Sequence, residues 1–268
     1  MKLVKTFDKK IEIGDFSFEK GLMIIAGPCS IENQEQMFQV CSFLEREKIP
    51  FLRAAAYKPR TSPYSFQGLG TSGLEIIKKI KQNFSIQVIS EIVDLEHLNF
   101  YRQYVDVIQI GARNMQNFEI LKALGKTDKP IILKRGFGNT IEEWLYAAEY
   151  LLASGNEKVI LCERGIRTFE PMTRNTLDVG AIALVKTITK LPVIADPSHA
   201  AGRHDLVAPL TLAALAAGAD GVMLEIHPSP SQSVSDREQA LGFEDFSKLL
   251  KKIQTIGPLF TRDIIHSP

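Results

Sequence analysis

Residues 130–164 read PIILKRGFGNTIEEWLYAAEYLLASGNEKVILCER, and this stretch holds one whole repeat of the fold and the start of the next. It opens on Pro130 to Leu133, an apolar run without polar alternation, which is how a strand reads when both faces are covered. Two cations, Lys134 and Arg135, close the run. Thr140 and Glu143 then have the spacing of a capping box, in which each side chain bonds the other's backbone N–H. Ile141, Leu145, Ala148 and Leu152 lay a single apolar stripe along the helix that follows, and Gly155 stands where that helix should stop. Val159 to Cys162 is a second two-faced apolar run, and it too ends on charge, at Glu163 and Arg164. Strand, charged loop, helix and strand in this order form the βα unit of a parallel sheet.

The unit recurs outward in both directions. Leu22 to Ala26, Phe51 to Ala55, Gln87 to Ile92, Val107 to Ile110, Val193 to Ala195 and Gly221 to Glu225 are the remaining candidate strands, spaced on average by about 28 residues. About eight such units predict an α/β fold of the (β/α)8 TIM-barrel type, with a doubly wound sheet as the runner-up. Met37, Val40, Cys41 and Leu44 give an earlier helix its buried stripe. Residues 1–20 read as a short N-terminal extension, with KIEI and FSFEK flanking Gly14-Asp15 as a hairpin that could close the bottom of the barrel. Residues 21–268 read as one catalytic barrel, because no linker, charge block or low-complexity tract divides them.

Composition narrows the function classes. Charged residues make up 24% and hydrophobic ones 45%, which argues against disorder and coiled coil. A net charge of +1 offers no footprint for nucleic acid, so any anion binding must be local. Three cysteines do not make a disulfide framework and fit a reducing, cytoplasmic setting. Neither a signal peptide nor a membrane span is legible.

A barrel of this type carries its active site at the C-terminal ends of the strands. Those ends supply a cationic set: Arg53, Lys58, Arg60, Arg113, Lys134, Arg164 and, by position, Arg203. Such a cluster repels itself unless anions neutralise it, and guanidiniums suit phosphate and carboxylate, so the expected substrates carry several negative charges. A second set comprises Cys29, His199, Glu225 and Asp236. One thiolate, one imidazole and two carboxylates suit a transition ion such as Mn²⁺, Fe²⁺, Co²⁺ or Zn²⁺. Each residue alone has a plainer reading, Cys29 as a small buried hydrophobe and each cation as a solvated loop residue. His227 reads as a contact behind the ligands or to substrate rather than as a ligand, while Cys41, Cys162, His97, His204 and His266 receive no role. The glycine-rich GLGTSG at 68–73 follows a loop rather than a strand and reads as the start of a helix, not as a phosphate cradle.

Together GPCSIE (27–32), AAAYKPRTSPYSFQGLG (54–70), QIGARNMQN (109–117), ILKRG (132–136), CERGIRTFE (162–170), DPSHAAGR (196–203) and the run from LEIHPSP through SD (224–236) resemble the 3-deoxy-D-arabino-heptulosonate 7-phosphate (DAHP) synthases. The resemblance is to the subgroup related to 3-deoxy-D-manno-octulosonate 8-phosphate (KDO 8-phosphate) synthases, and it runs from about residue 20 to 250. It implies condensation of phosphoenolpyruvate (PEP) with erythrose 4-phosphate and water, the first step of the shikimate route. It further implies a divalent ion, Mn²⁺ foremost, on Cys29, His199, Glu225 and Asp236. PEP would be held by Arg53, Lys58, Arg113, Lys134 and Arg164, and the aldose phosphate by Arg60, Thr61 and Ser62. Lys58 is the implied general acid, and Glu91 the group nearest the attacking water. KPRTS favours the four-carbon aldehyde over arabinose 5-phosphate, the substrate of the sister enzymes. Family resemblance also implies a homotetramer or homodimer. Because no fused regulatory segment is legible, catalysis without feedback by Phe or Tyr is expected.

Overall fold

The apolar runs become barrel staves because each of their residues can be buried on one side by the barrel interior and on the other by a helix. A computed structural model of the protein describes residues 1–257. Within them a two-stranded antiparallel ladder, β1 (Glu12–Ile13) and β2 (Phe16–Ser17), precedes a closed barrel of parallel strands. The barrel strands are β3 (Met23–Gly27), β4 (Phe51–Arg53), β5 (Gln87–Ile92), β6 (Val107–Ile110), β7 (Ile131–Lys134), β8 (Val159–Glu163), β9 (Val193–Ala195) and β10 (Gly221–Glu225). Each pairs with the next, and β10 returns to β3 over its full length, from Gly221 opposite Met23 to Glu225 opposite Gly27. This is the expected (β/α)8 barrel.

Boundaries differ from the sequence expectation by one or two residues. Lys134 and Glu163 belong to their strands, whereas β4 stops at Arg53. Ala54 still donates to Ile89 O at 2.8 Å, but the carbonyl of Ala55 is taken by Ile31 N–H at 3.0 Å, and the ladder ends there. Close approach at this end depends on Gly27, where a Cβ would lie 2.3 Å from the carbonyl oxygen of Arg53.

Around the barrel lie α2 (Gln34–Arg46), α3 (Thr71–Asn83), α4 (Leu98–Tyr104), α5 (Phe118–Leu124), α6 (Ile141–Ala153), α7 (Val179–Ile188), α8 (Pro197–Ala201), α9 (His204–Ala216) and α10 (Phe243–Ile256), after a short α1 (Leu3–Thr6). The capping box of α6 is present: Thr140 Oγ1 accepts from Glu143 N–H at 3.1 Å, and Glu143 Oε2 accepts from Thr140 N–H at 2.8 Å. Trp144, fully buried, donates its indole N–H to Leu133 O and pins α6 onto β7. Gly70 stands at the N-cap of α3, as the helix-start reading of GLGTSG expects.

The hairpin lies at the bottom of the barrel. The ring of Phe16 meets that of Phe51, the first residue of β4, edge-on at 5.2 Å. α1 was not legible: its N–H groups are capped by Glu149 of α6, whose carboxylate accepts from Lys2, Leu3 and Val4 at 2.7–2.9 Å. The last 11 positions of the catalytic unit expected over 21–268, His266 among them, lie outside the described residues.

Candidate active site

The seam between β10 and β3 decides which side chains meet at the top of the barrel. It sets Glu225 beside Gly27, so that Cys29 stands next to it and the loop carrying Asp236 folds over both. α8 supplies His199: Asp196 Oδ1 caps this short helix through His199 N–H at 3.0 Å, while Asp196 Oδ2 bonds the ring Nδ1 at 2.7 Å. The other ring nitrogen, Nε2, therefore faces Glu225 Oε1 at 3.1 Å. Ser198 Oγ accepts from Glu225 N–H at 3.0 Å and locks α8 to the end of β10.

Ligand atoms of Cys29, His199, Glu225 and Asp236 all lie within 4.8 Å of one another. Cys29 Sγ is 2.8 Å from Asp236 Oδ2 and 2.7 Å from Lys58 Nζ. Two observations fit this set to a cation. Glu225 Oε1 is buried without a hydrogen bond, although Arg53 Nη2 and His199 Nε2 lie about it. The donors are also of the mixed soft and hard kind that divalent transition ions take, with His199 oriented by a carboxylate behind it. Burial pushes the imidazole of His199 down to about 4, which leaves it neutral and able to ligate at physiological pH. Burial and the neighbouring Glu225 push the Cys29 thiol up to about 12, a state that a bound cation reverses. Burial would raise Glu225 and Asp236, but their interaction with His199, and with the cations Arg53 and Lys58 around Glu225 and Lys58 and Arg174 around Asp236, holds both below the ordinary carboxylate range.

Beside this quartet a cleft opens at the mouth of the barrel. Lys58, Arg60, Arg113, Lys134 and Arg164 line it, together with Glu91, His199 and Asp236. Lys134 donates to Asp196, and Arg113 reaches Thr61 Oγ1 at 3.0 Å. Arg53 lies behind the lining, 3.0 Å from Glu225, with its Nη1 buried and unbonded. Thr61 and Ser62 are exposed on the rim, where Ser62 Oγ accepts from Tyr64 N–H. Glu91 Oε2 accepts from Gln109 Nε2 at 3.1 Å. Its Oε1 occupies the space that a side chain at residue 111 would take, since a Cβ on Gly111 would lie 2.0 Å away.

One expectation is corrected. Arg203 does not join the cleft: Gly202, left-handed at the end of α8, turns the chain away, and Arg203 forms an exposed two-bond pair with Asp205. Arg174, in the loop after β8, stands in the cleft instead and contacts Asp236 Oδ1 at 3.1 Å. Sequence reasoning missed it because it is far from any strand end. Gln239, which donates to Glu225 Oε2, and Phe137, which lines the cleft, were missed for the same reason or for want of charge. Arg135 and Glu163 pair with each other and sit outside the cleft, as alternation along a strand requires of neighbours to Lys134 and Arg164. His227 Nε2 lies 3.4 Å from Glu32, behind the quartet.

Fold and site define the class: a (β/α)8 barrel whose mouth combines a transition-ion ligand set with a polycationic cleft suited to phosphorylated anions. Residues 3–259 match the DAHP synthetase I family, and the chain belongs to that family. Over 251 residues, 93% of this chain and 74% of the relative, it is 49% identical to phospho-2-dehydro-3-deoxyheptonate aldolase of Thermotoga maritima. A crystal structure of the Thermotoga maritima DAHP synthase superposes with a TM-score of 0.92 at 46% identity, covering 96% of this chain and 76% of that one. The 2-dehydro-3-deoxyphosphooctonate aldolase of Desulfosudis oleivorans is 30% identical over 96% of this chain and 99% of its own.

Proposed function

We propose that this protein condenses PEP with erythrose 4-phosphate and water to give DAHP and inorganic phosphate, as a 3-deoxy-7-phosphoheptulonate synthase in aromatic amino acid biosynthesis. The observation that carries the reading is the meeting of the Cys29, His199, Glu225 and Asp236 ligand atoms with a cleft lined by Lys58, Arg60, Arg113, Lys134 and Arg164. A divalent ion on that quartet, Mn²⁺ foremost and otherwise Fe²⁺, Co²⁺ or Zn²⁺, would supply Lewis acidity at the aldehyde oxygen of the sugar phosphate.

The remaining work belongs to the chain. Arg113, Lys134 and Arg164 hold PEP, and Arg53, whose Nη1 has no partner among the described residues, completes its set. Arg60, with Thr61 and Ser62 on the rim, receives the aldose phosphate. Holding two polyanions in contact against their repulsion supplies orientation and electrostatic stabilisation. As C3 of PEP bonds to the aldehyde carbon, Lys58 delivers a proton to the oxygen that becomes a hydroxyl. Burial lowers its affinity for that proton, but the adjacent Cys29 and Glu225 raise it further, so Nζ arrives charged. Glu91 orients the water that adds at C2, after which phosphate departs with cleavage of its C–O bond.

Among the described residues no helix is long and apolar enough to cross a membrane. The reading includes a cytoplasmic homotetramer or homodimer that takes small-molecule partners and neither nucleic acid nor membrane. A second reading, condensation with arabinose 5-phosphate, is favoured only by the octonate aldolase relatives at about 30% identity. The test is PEP consumption by purified protein with Mn²⁺, offered each aldose in parallel, with and without chelator. Chelator-sensitive turnover with erythrose 4-phosphate alone is expected; preference for arabinose 5-phosphate moves the protein to the sister activity, and no turnover with either overturns the assignment.

A further inference from the structure

Phe137 follows β7 in the loop Arg135-Gly136-Phe137, and three guanidiniums surround its ring. The Cζ atom of Arg164 is 4.7 Å from the ring centroid, and those of Arg113 and Arg167 are each 5.1 Å from it. They reach it from separate places, Arg113 beyond β6 and the other two beyond β8. The loop is tied to its neighbour at this point, since Phe137 O accepts from Arg167 N–H at 2.7 Å. Among the described residues no carboxylate forms an ion pair with any of the three, in contrast to Arg53, Arg60 and Arg174.

Grouping three like charges without a counter-ion is unfavourable. Burial, joined by the charge of Arg174 on both and of Arg60 and Arg167 on Arg113, holds Arg113 and Arg164 below the ordinary arginine range. The ring offsets part of this, because its negative faces attract cations through the quadrupole. It does so without itself accepting a hydrogen bond, and the bonds that Arg113 and Arg164 do make are to neutral oxygens, Thr61 Oγ1 for the first and the carbonyls of Gly165 and His199 for the second. A carboxylate in the same place would take up the guanidinium forks and cancel the charge that an incoming phosphate needs.

We propose that Phe137 is a positioning residue that gathers Arg113, Arg164 and Arg167 into one anion seat, and that Arg167 is a further guanidinium for the phosphate of PEP. The proposal rests on the functional reading above. Its test is calorimetric binding of PEP, with steady-state kinetics alongside, for wild type, Phe137→Leu, Phe137→Tyr and Arg167→Gln. Phe137→Leu keeps an apolar side chain but removes the π face, and should weaken PEP binding about tenfold, the weight of one or two guanidinium–ring contacts. The loss should fall on the KM of PEP more than on kcat, because the seat binds phosphate in the ground state as well as the transition state. Phe137→Tyr restores the face and should return PEP affinity to near wild type. Arg167→Gln, at an exposed position that tolerates substitution, should lose PEP affinity about tenfold as one charge-assisted contact disappears.

Wild-type PEP affinity in Phe137→Leu, or failure of Phe137→Tyr to restore it, overturns the role of Phe137. Wild-type affinity in Arg167→Gln overturns that of Arg167. If wild type itself does not bind PEP, the functional reading fails instead, and the seat is judged with inorganic phosphate, whose affinity must fall in Phe137→Leu and Arg167→Gln for the proposal to stand.

Discussion

Replacing Gly111 with alanine should displace Glu91 and little else. Gly111 has φ −69° and ψ 159°, a backbone conformation that alanine adopts freely. The added Cβ would lie 2.0 Å from Glu91 Oε1 and 2.6 Å from its Cδ, where ordinary contact begins near 3.4 Å. The carboxylate must therefore retreat by about 1.4 Å, the difference between those two separations. It is the far end of a flexible side chain, and the bond it stands to lose is the one from Gln109, so stability should change by about 1 kcal/mol or less. A displacement of about 1 Å at a group that orients a reactant costs on the order of 100-fold in rate. Under saturating PEP and erythrose 4-phosphate, Gly111→Ala should lower kcat by about that factor while its melting temperature stays close to wild type. Glu91→Gln, which keeps position and loses charge, serves as the comparison. A Gly111→Ala enzyme with wild-type kcat, whose crystal structure shows the carboxylate displaced, would remove Glu91 from the chemistry.

Metal-free protein should lose stability in acid because of His199. The unfolded imidazole binds a proton below about 6.5, whereas the buried one does so only near 4, so its contribution is fully present above 6.5 and is lost as pH falls toward 4. That window corresponds to about 3 kcal/mol, and urea titrations should show a shallower slope across it in His199→Gln; an unchanged slope refutes the assignment. Cys29→Ala should abolish metal-dependent turnover with the fold intact by circular dichroism, and full activity would take Cys29 out of the site. Asp196→Asn should weaken Mn²⁺ binding about 10- to 100-fold by calorimetry, as loss of a carboxylate behind a ligating histidine does; unchanged affinity would mean that packing alone orients the ring. Arg60→Ala should raise the KM of erythrose 4-phosphate about tenfold more than that of PEP, and the reverse would mean that the two pockets have been exchanged.

What could be read from the chain follows from how local the controlling physics is. The barrel was legible because strands buried on both faces leave uninterrupted apolar runs, and because α6 announces itself through a capping box within four residues. α1 left no such trace, since the acceptor that caps it is Glu149, more than a hundred residues away. The metal-ligand candidates were legible because barrel topology makes the first and last strands neighbours, and so brings Cys29 and Glu225 together. Loops obey no comparable rule. Arg203 leaves the cleft where it was expected, and a single left-handed residue, Gly202, explains its departure, whereas Arg174 enters the cleft from a position about which the sequence reading said nothing. Glu91 could be suspected from its strand end, but the room made for it by Gly111 is visible only in three dimensions.

The cationic mouth is also organised differently from a uniform cluster awaiting substrate. A crowd of positive strand ends in a chain of net charge +1 suggests that substrate anions must do the neutralising. Near the ligand quartet the protein does much of this itself: Glu225 faces Arg53, Asp196 takes Lys134, and Asp236 lies beside Arg60 and Arg174. Arg113, Arg164 and Arg167 gather about the ring of Phe137 and, among the described residues, form no ion pair with a carboxylate. Cations without an ion-pair partner are thus gathered about Phe137, whereas Glu225, Asp196 and Asp236 pair with cations around the quartet. On the proposed reading, PEP would be aligned before chemistry begins, its phosphate toward the arginines and its reacting carbon toward Lys58 and the quartet. Such polarity would let one cleft hold two polyanions in productive order, since an evenly cationic mouth would attract both without telling one end from the other.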